Sequence, residues 1–394
     1  MKILMVLEAE FPPDDRVEKE AVSLIQAGHE LILACYTMEN RSGLENYKGI
    51  KVYRRPISKL VYKSSVGSLK FPMYFNFWRK FLQEIYELES FEAIHIHDLP
   101  LMKVGLELKQ KYKIPLIFDM HENFPVLLEL STHTKKPLAR LLYSNAQWKK
   151  YEVEMLKKAD SVITVIEEMA ERVEELQIKA DKVVVVPNTI RISDFNFPDK
   201  QPDDHFLTMI YIGGITYHRG LQVVLKGLKT ILNHRKDVRL WVAGTGGYTG
   251  ELEKLVAELN LEDYVKFLGW KNIPEMADLL MLSDIGIIPH LKSEHTDHTI
   301  PNKLYQYAYA NKPIITSNCR PLERLVKEME IGVTYEHDSV EDFVNSFNQL
   351  TADSSLKNVG ENGRNYIIEK YNWEKTVEPL LKLYNSLQDL PPEN

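Results

Sequence analysis

The sequence predicts an α/β protein of two Rossmann-like parallel-sheet domains that face each other across a cleft. Three observations lead there. The chain has 394 residues, beyond the size at which one hydrophobic core keeps growing, so two domains of roughly 150–200 residues are expected. Short apolar runs rich in Val, Ile and Leu alternate with longer segments of helical period, the pattern of parallel strands covered on both faces by crossover helices. Polar and glycine-rich residues gather directly after those runs, at the carboxyl edges where open α/β sheets bind ligands.

Strands are expected in the first half at 2–7, 30–36, 50–53, 93–97, 116–119, 161–165 and 183–186, with helical patterns between most of them. In the second half they are expected at 208–212, 239–243, 265–268, 285–288, 314–316 and 333–335. Between the halves, Thr189–Phe206 holds Pro198, Pro202 and several aspartates with little periodicity, which is linker composition. The expected division is therefore an N-terminal domain over 1–190, a linker over 191–206 and a C-terminal domain over 207–371. The segment 373–388 has helical spacing beyond the last strand and is free to pack back on the N-terminal domain.

Composition excludes several function classes. With 44% hydrophobic and 27% charged residues and a net charge of −7, the chain reads as an ordinary globular protein, with no whole-chain support for nucleic-acid binding. Cys35 and Cys319 are its only cysteines and lie far apart, so no disulfide framework or zinc site follows; both read as buried thiols. The apolar start Met1–Leu7 runs straight into Glu8 and Glu10, as a first buried strand does and a signal peptide does not. No stretch approaches the roughly 20 apolar residues that span a bilayer. A cytoplasmic protein is expected.

The sheet-edge rule turns the strand order into a site order. The N-terminal strands are followed by Glu8–Arg16, His97-Asp98 and Asp119-Met120-His121-Glu122-Asn123. The C-terminal ones are followed by Gly213–Gly220, Gly244–Gly250, Gly269-Trp270-Lys271 and Pro289–Pro301. Glycines before a helix present free N–H groups and a partial positive charge to an anion, and Arg219 adds a charge-assisted donor there; the alternative is a turn with a surface arginine. Pro301 at a helix start leaves the following N–H groups outward, and Lys303 adds charge.

The run Tyr211-Ile212-Gly213-Gly214-Ile215-Thr216-Tyr217-His218-Arg219-Gly220-Leu221 resembles the strand, loop and helix opening of family-4 glycosyltransferases. Thr299-Ile300-Pro301-Asn302-Lys303-Leu304-Tyr305-Gln306-Tyr307-Ala308, with Asn311–Ile315 after it, resembles that family's donor-contact helix and next strand. Phe11–Ala21 through Glu30 is similar to its first loop and helix, Phe118–Glu122 to its donor-sugar loop, Val185–Asn188 to its last strand before the linker, and Asn372–Glu374 to its closing helix. The similarity runs in order from about residue 1 to 385. It implies the GT-B fold and transfer of a sugar from a nucleoside-diphosphate sugar to a glycan or lipid-linked acceptor, with retained anomeric configuration, in cell-surface polysaccharide synthesis. No cofactor is implied beyond that co-substrate.

The resemblance assigns His121, Arg219 and Lys303 to catalysis and Gly213, Gly214, Gly244, Trp270, Pro301, Asn302, Leu304 and Gln306 to the donor. Asp14, Asp15, Arg16 and His97 are candidates for the acceptor side. The first three equally fit a helix start with acids at its N-terminus. His97 alternates with His95 and equally fits a structural role. The sequence departs from the family where Gly214 replaces an arginine and where His298 and Gln306 replace a pair of glutamates eight apart.

Metal-independent chemistry is expected, because no strand-ending Asp-x-Asp pair occurs and cations with a helix end can offset diphosphate charge. From Arg54 to Lys80 there are seven Lys and Arg and no acid, interleaved with Tyr62, Phe71, Tyr74, Phe75, Phe77 and Trp78. That mixture fits the surface of an anionic membrane such as the inner face of the cell membrane, and fits equally a core helix with a solvated basic edge. Rival readings are a nucleotide-sugar epimerase of the same fold and a catalytically degenerate sugar-binding or partner subunit. A dehydrogenase fingerprint over Val242–Gly250 fails at its third glycine position, which holds Thr249. A glycosidase pair at Asp119 and Glu122 is disfavoured, because hydrolases of that mechanism need two carboxyls at a set separation around a water.

Overall fold

Among the described residues, β-branched and leucine-rich runs form fourteen strands in two sheets. The computed structural model describes residues 1–130, 144–198, 205–352 and 356–388. These fall into two units, Met1–Pro187 with the chain from Val377 onward, and Asn188–Thr376.

The first unit carries β1 (Lys2–Leu7), β2 (Glu30–Thr37), β3 (Leu44–Tyr47), β4 (Ile50–Pro56), β5 (Ala93–His97), β6 (Leu116–Met120), β7 (Ser161–Thr164) and β8 (Val183–Val185). Their order is β3-β4-β2-β1-β5-β6-β7-β8, parallel except for the β3–β4 hairpin. Five consecutive residues of β1 and all of β5 and β6 are buried, as expected of strands covered on both faces. β3 alone was not expected from the sequence: Leu-Glu-Asn-Tyr is short, polar and exposed, and only its pairing with β4 makes it a strand. The helix Glu378–Gln388 belongs to this unit and packs on β8 and on the helix Asp15–Gln26.

The second unit carries β9 (Leu207–Ile212), β10 (Val238–Ala243), β11 (Val265–Gly269), β12 (Ile285–Ile288), β13 (Ile314–Ser317) and β14 (Gly332–Tyr335), all parallel, in the order β11-β10-β9-β12-β13-β14. Phe195 and Phe197 pack on its core, and Trp373 N–H donates to the Ile190 carbonyl at 2.8 Å, which ties the segment after Pro187 to this unit. In each sheet the strand order reverses beside the first strand, between β1 and β5 and between β9 and β12. Those two points are where α/β sheets place ligands.

Both cysteines are buried free thiols. Among the described residues no helix is long and apolar enough to cross a membrane.

Candidate active site

In the second unit, the loops after β9 and β12 bring basic side chains together. Arg219 ends the turn Tyr217–Arg219, and its Nη1 donates to His290 Nε2 at 2.9 Å. A guanidinium can only donate, so the His290 nitrogen accepts. Lys303 begins the helix Lys303–Tyr309, is 7% exposed, and holds its Nζ 3.7 Å from the Tyr211 ring centroid, a cation–π contact. Among the described residues neither Arg219 nor Lys303 has an acid within ion-pair reach.

The consequence is electrostatic. Burial, and then the Arg219 charge, push the Lys303 ammonium well below its usual range. Burial followed by Arg219 and Lys303 does the same to His290, and burial with Arg219 lowers His295 to about 4. His218 shifts down for the same reasons. Arg219 thus lies among basic groups whose charged forms burial and the guanidinium disfavour, with no acid to offset them among the described residues, a disfavour that an entering anion would relieve.

Two glycines make room. Gly213 has φ +130°, and a Cβ there would lie 3.0 Å from Lys303 Nζ. Gly220 has φ +73°, and a Cβ there would meet the Pro289 carbonyl oxygen at 1.7 Å, so no other residue lets this loop close on β12. Gly213 N–H donates to the Ala243 carbonyl and Gly244 N–H to the Gly269 carbonyl, which binds the three loops after β9, β10 and β11 into one edge. Gly214 is exposed with open space beside it, and Trp270 is 71% exposed on the same edge.

The helix-start expectation is corrected in part. Pro301 and Asn302 precede a helix that begins at Lys303 and has seven residues. Leu304 is fully buried among Ile210, Ile212 and Ile288, and its N–H already donates to the Pro301 carbonyl at 3.1 Å; it is a core residue with no group left for a donor. Gln306 is half-buried, and His298 Nδ1 donates to the Glu294 carbonyl at 2.6 Å.

In the first unit, parallel register places His97 beside Asp119, and the two-residue period puts His95 on the same face. Asp119 is fully buried and receives four donors. Arg16 Nη2 reaches its Oδ1 at 2.8 Å, while Arg16 Nε at 3.2 Å, His97 Nδ1 at 3.1 Å and His121 Nε2 at 2.8 Å share its Oδ2. Burial alone would raise this carboxyl, but Arg16 and then His121 hold it well below the carboxylate range. Burial lowers His97 to about 3. Burial also opposes charge on His121, yet Asp98 and Asp119 outweigh it and raise the imidazole to about 10, so His121 is a cation at neutral pH. Its Nδ1 lies 3.6 Å from Asp98 Oδ2, too long for a hydrogen bond, and is left to donate elsewhere.

Two acceptor-side expectations therefore fail. Arg16 is 4% exposed, spans Asp119 and Glu20 at 2.8 Å each, and donates to the Val186 carbonyl; its burial on the inner face of the helix Asp15–Gln26 makes it an internal counter-ion. His97 is fully buried. Asp14 caps the helix Asp15–Gln26 by accepting from Val17 N–H at 3.0 Å, and exposed Asp15 pairs with buried Lys19 at 2.8 Å. Donor atoms of Glu20, His95, His97 and Asp119 lie within 4.8 Å of one another, close enough for a metal, but Arg16 already puts a positive charge on both acids.

Sequence reading missed His290, His295 and His218 as partners of Arg219, and Glu20 and His95 as partners of Asp119. The available signal was position: His290 stands two residues after the strand 285–288, at the sheet edge.

The family model described as glycosyl transferases group 1 matches residues 193–386, and that described as glycosyltransferase family 4 matches residues 17–194. An uncharacterized glycosyltransferase of Methanocaldococcus jannaschii is 24% identical, covering 94% of this chain and 93% of its own. The phosphatidylinositol N-acetylglucosaminyltransferase gpi3 subunit of Schizosaccharomyces pombe is 23% identical, covering 97% of this chain and 80% of its own. Sucrose-phosphate synthase from Thermosynechococcus elongatus superposes with a TM-score of 0.79 at 17% identity, covering 98% of this chain and 99% of that one. Anabaena HepE in complex with UDP gives 0.72 at 14% identity, covering 99% and 100%. At these identities the structures establish the GT-B fold.

Proposed function

The chain belongs to the group 1 glycosyltransferases, the two matching family models together spanning residues 17–386, and from that premise we propose that it transfers a sugar from a nucleoside-diphosphate sugar to a glycan or lipid-linked acceptor with retention and without a metal. The observation that carries this reading is half-buried Arg219 and His218 beside buried Lys303, His290 and His295, with no facing acid among the described residues, a basic set suited to a polyanion of diphosphate kind. In the reaction the bond from the anomeric carbon to the diphosphate oxygen breaks, and the diphosphate leaves with the electron pair. The acceptor oxygen bonds that carbon and releases its proton. Arg219 and Lys303 stabilise the departing charge, and His290 holds Arg219 in place. His121, charged and with Nδ1 open, is assigned to a sugar hydroxyl.

The HepE structure holds UDP, and the name of the fission-yeast relative gives it a phosphatidylinositol acceptor; both favour this class of donor and acceptor. The test is proton NMR of the full chain with candidate nucleoside-diphosphate sugars and excess chelator. The expected product keeps the donor's anomeric configuration, formed slowly on water when no acceptor is present. Inversion removes the retaining assignment, turnover only with added magnesium or manganese removes metal independence, and an epimerised sugar replaces the transferase by an epimerase.

An anionic lipid surface is the proposed place of action. Of the aromatics between Arg54 and Lys80, Tyr74, Phe75 and Trp78 are core residues and Phe77 is half-buried, which narrows the expected patch. Leu60, Tyr62, Phe71 and Met73 remain exposed at 66, 40, 54 and 45%, beside exposed Lys59 and Lys63 on the short helix Lys59–Lys63 and exposed Lys70 in the turn after it. Apolar side chains ringed by lysines suit a headgroup interface. Flotation with phosphatidylserine vesicles should be salt-sensitive and lost in Lys59→Glu/Lys63→Glu/Lys70→Glu; no binding at low salt contradicts it.

A further inference from the structure

We infer that Tyr384 of the C-terminal helix is a positioning residue for glycosyl transfer, acting through His95 and Asp119 on His121. The inference rests on the assignment of His121 to the sugar. Tyr384 is fully buried, and its Oη lies 2.9 Å from His95 Nδ1. The other ring nitrogen, Nε2, lies 3.6 Å from both Glu20 Oε2 and Asp119 Oδ2 and has no hydrogen-bond partner of its own. Two carboxylates on that side select the tautomer with the proton on Nε2, so Nδ1 accepts from the tyrosine hydroxyl. His95 also stacks on His97, with ring centroids 4.4 Å apart and 28° between planes.

The set converges on the carboxylate that holds His121, Tyr384 through His95 and Glu20 through Arg16. Asp119 Oδ2 accepts from His121 Nε2 at 2.8 Å and from His97 Nδ1 at 3.1 Å, and Arg16 spans Asp119 and Glu20. Removing the Tyr384 hydroxyl leaves a buried Nδ1 without a donor. The ring then either keeps that orphan or moves its proton, and the second choice turns a bare lone pair toward Glu20 and Asp119. Repulsion there shifts the Asp119 carboxylate, and the His121 ring moves with it. The C-terminal helix is thereby a part of the reacting set, though no atom of it meets a sugar.

Tyr384→Phe keeps the ring and removes one oxygen. In the full chain, with the nucleoside-diphosphate sugar that turns over, it should lower kcat by roughly 10- to 100-fold, the cost of misplacing a reacting group, with KM unchanged. His95→Leu should behave alike. His95→Gln should restore most of the rate, because its amide oxygen can accept from Tyr384 while its N–H₂ faces the carboxylates. Wild-type kcat in Tyr384→Phe overturns the inference, as does a His95→Gln rate no better than that of His95→Leu. A kcat loss that matches a loss of folded protein by circular dichroism overturns it too. His121→Ala, run alongside, separates the two failures: wild-type kcat there removes the assignment of His121, whereas a damaged His121→Ala with intact Tyr384→Phe removes only the relay.

Discussion

Lys303→Met should bind nucleoside diphosphates more weakly by about 1.5–3 kcal/mol, the span of hydrogen bonds to charged groups, while melting no lower than the wild type. The two halves of this expectation have one cause. Lys303 is 7% exposed, lies over the Tyr211 ring and, among the described residues, has no acid beside it, so burial and the Arg219 charge both disfavour its ammonium form in the empty site. A methionine keeps the apolar stem and the ring contact and removes the charge that the anion alone would reward. A site that holds unneutralised charge for its ligand gives up stability in the empty state, and relieving that charge returns it. Calorimetric titration together with thermal melting reads both quantities. Unchanged affinity takes Lys303 out of the site; a melting temperature that falls with affinity makes it structural.

Arg16→Met should cost roughly 3–5 kcal/mol of unfolding free energy, the usual penalty for leaving a buried charge without its partner. Asp119 and Glu20 are both fully buried, and the guanidinium contacts each at 2.8 Å. Glu20 is already raised to about 7 by burial, against the pull of Arg16. In the variant Glu20 would lose its counter-ion and take up a proton, while Asp119 would keep the charged His121 at 2.8 Å. The folded state would then bind more protons than the unfolded one above the ordinary carboxylate range, so the variant's stability should fall as pH rises from about 5 to 8. Urea denaturation at several pH values measures this. A loss under about 1 kcal/mol, the scale of an exposed pair, would mean that the pair is solvated.

The alternation of apolar runs and helical segments located thirteen of the fourteen strands, because a strand buried on both faces must be apolar throughout. β3 escaped because its strand character comes from pairing with β4 and not from its own side chains. The sheet-edge rule also found the loops bearing Arg219, Lys303 and His121. What it could not give was which polar residues turn inward. Arg16 follows two aspartates at a helix start, and that reads as a solvated end; its counter-ion Asp119 is 103 positions away. Leu304 sits between Lys303 and Tyr305 in a short motif, yet the helix turns its side chain into the core. His290 and His95 became partners through the neighbourhood of strands and helices distant in sequence, where no local pattern carries a signal.

The most direct measurement for the account as a whole is calorimetric titration of the wild-type chain with the common nucleoside diphosphates in chelator. The account predicts saturable binding of at least one of them, weakened by salt and much weaker for the corresponding nucleoside, since the diphosphate supplies the charge that Arg219 and Lys303 lack. Absence of binding for every diphosphate tried, or equal affinity for nucleoside and nucleoside diphosphate, would contradict it.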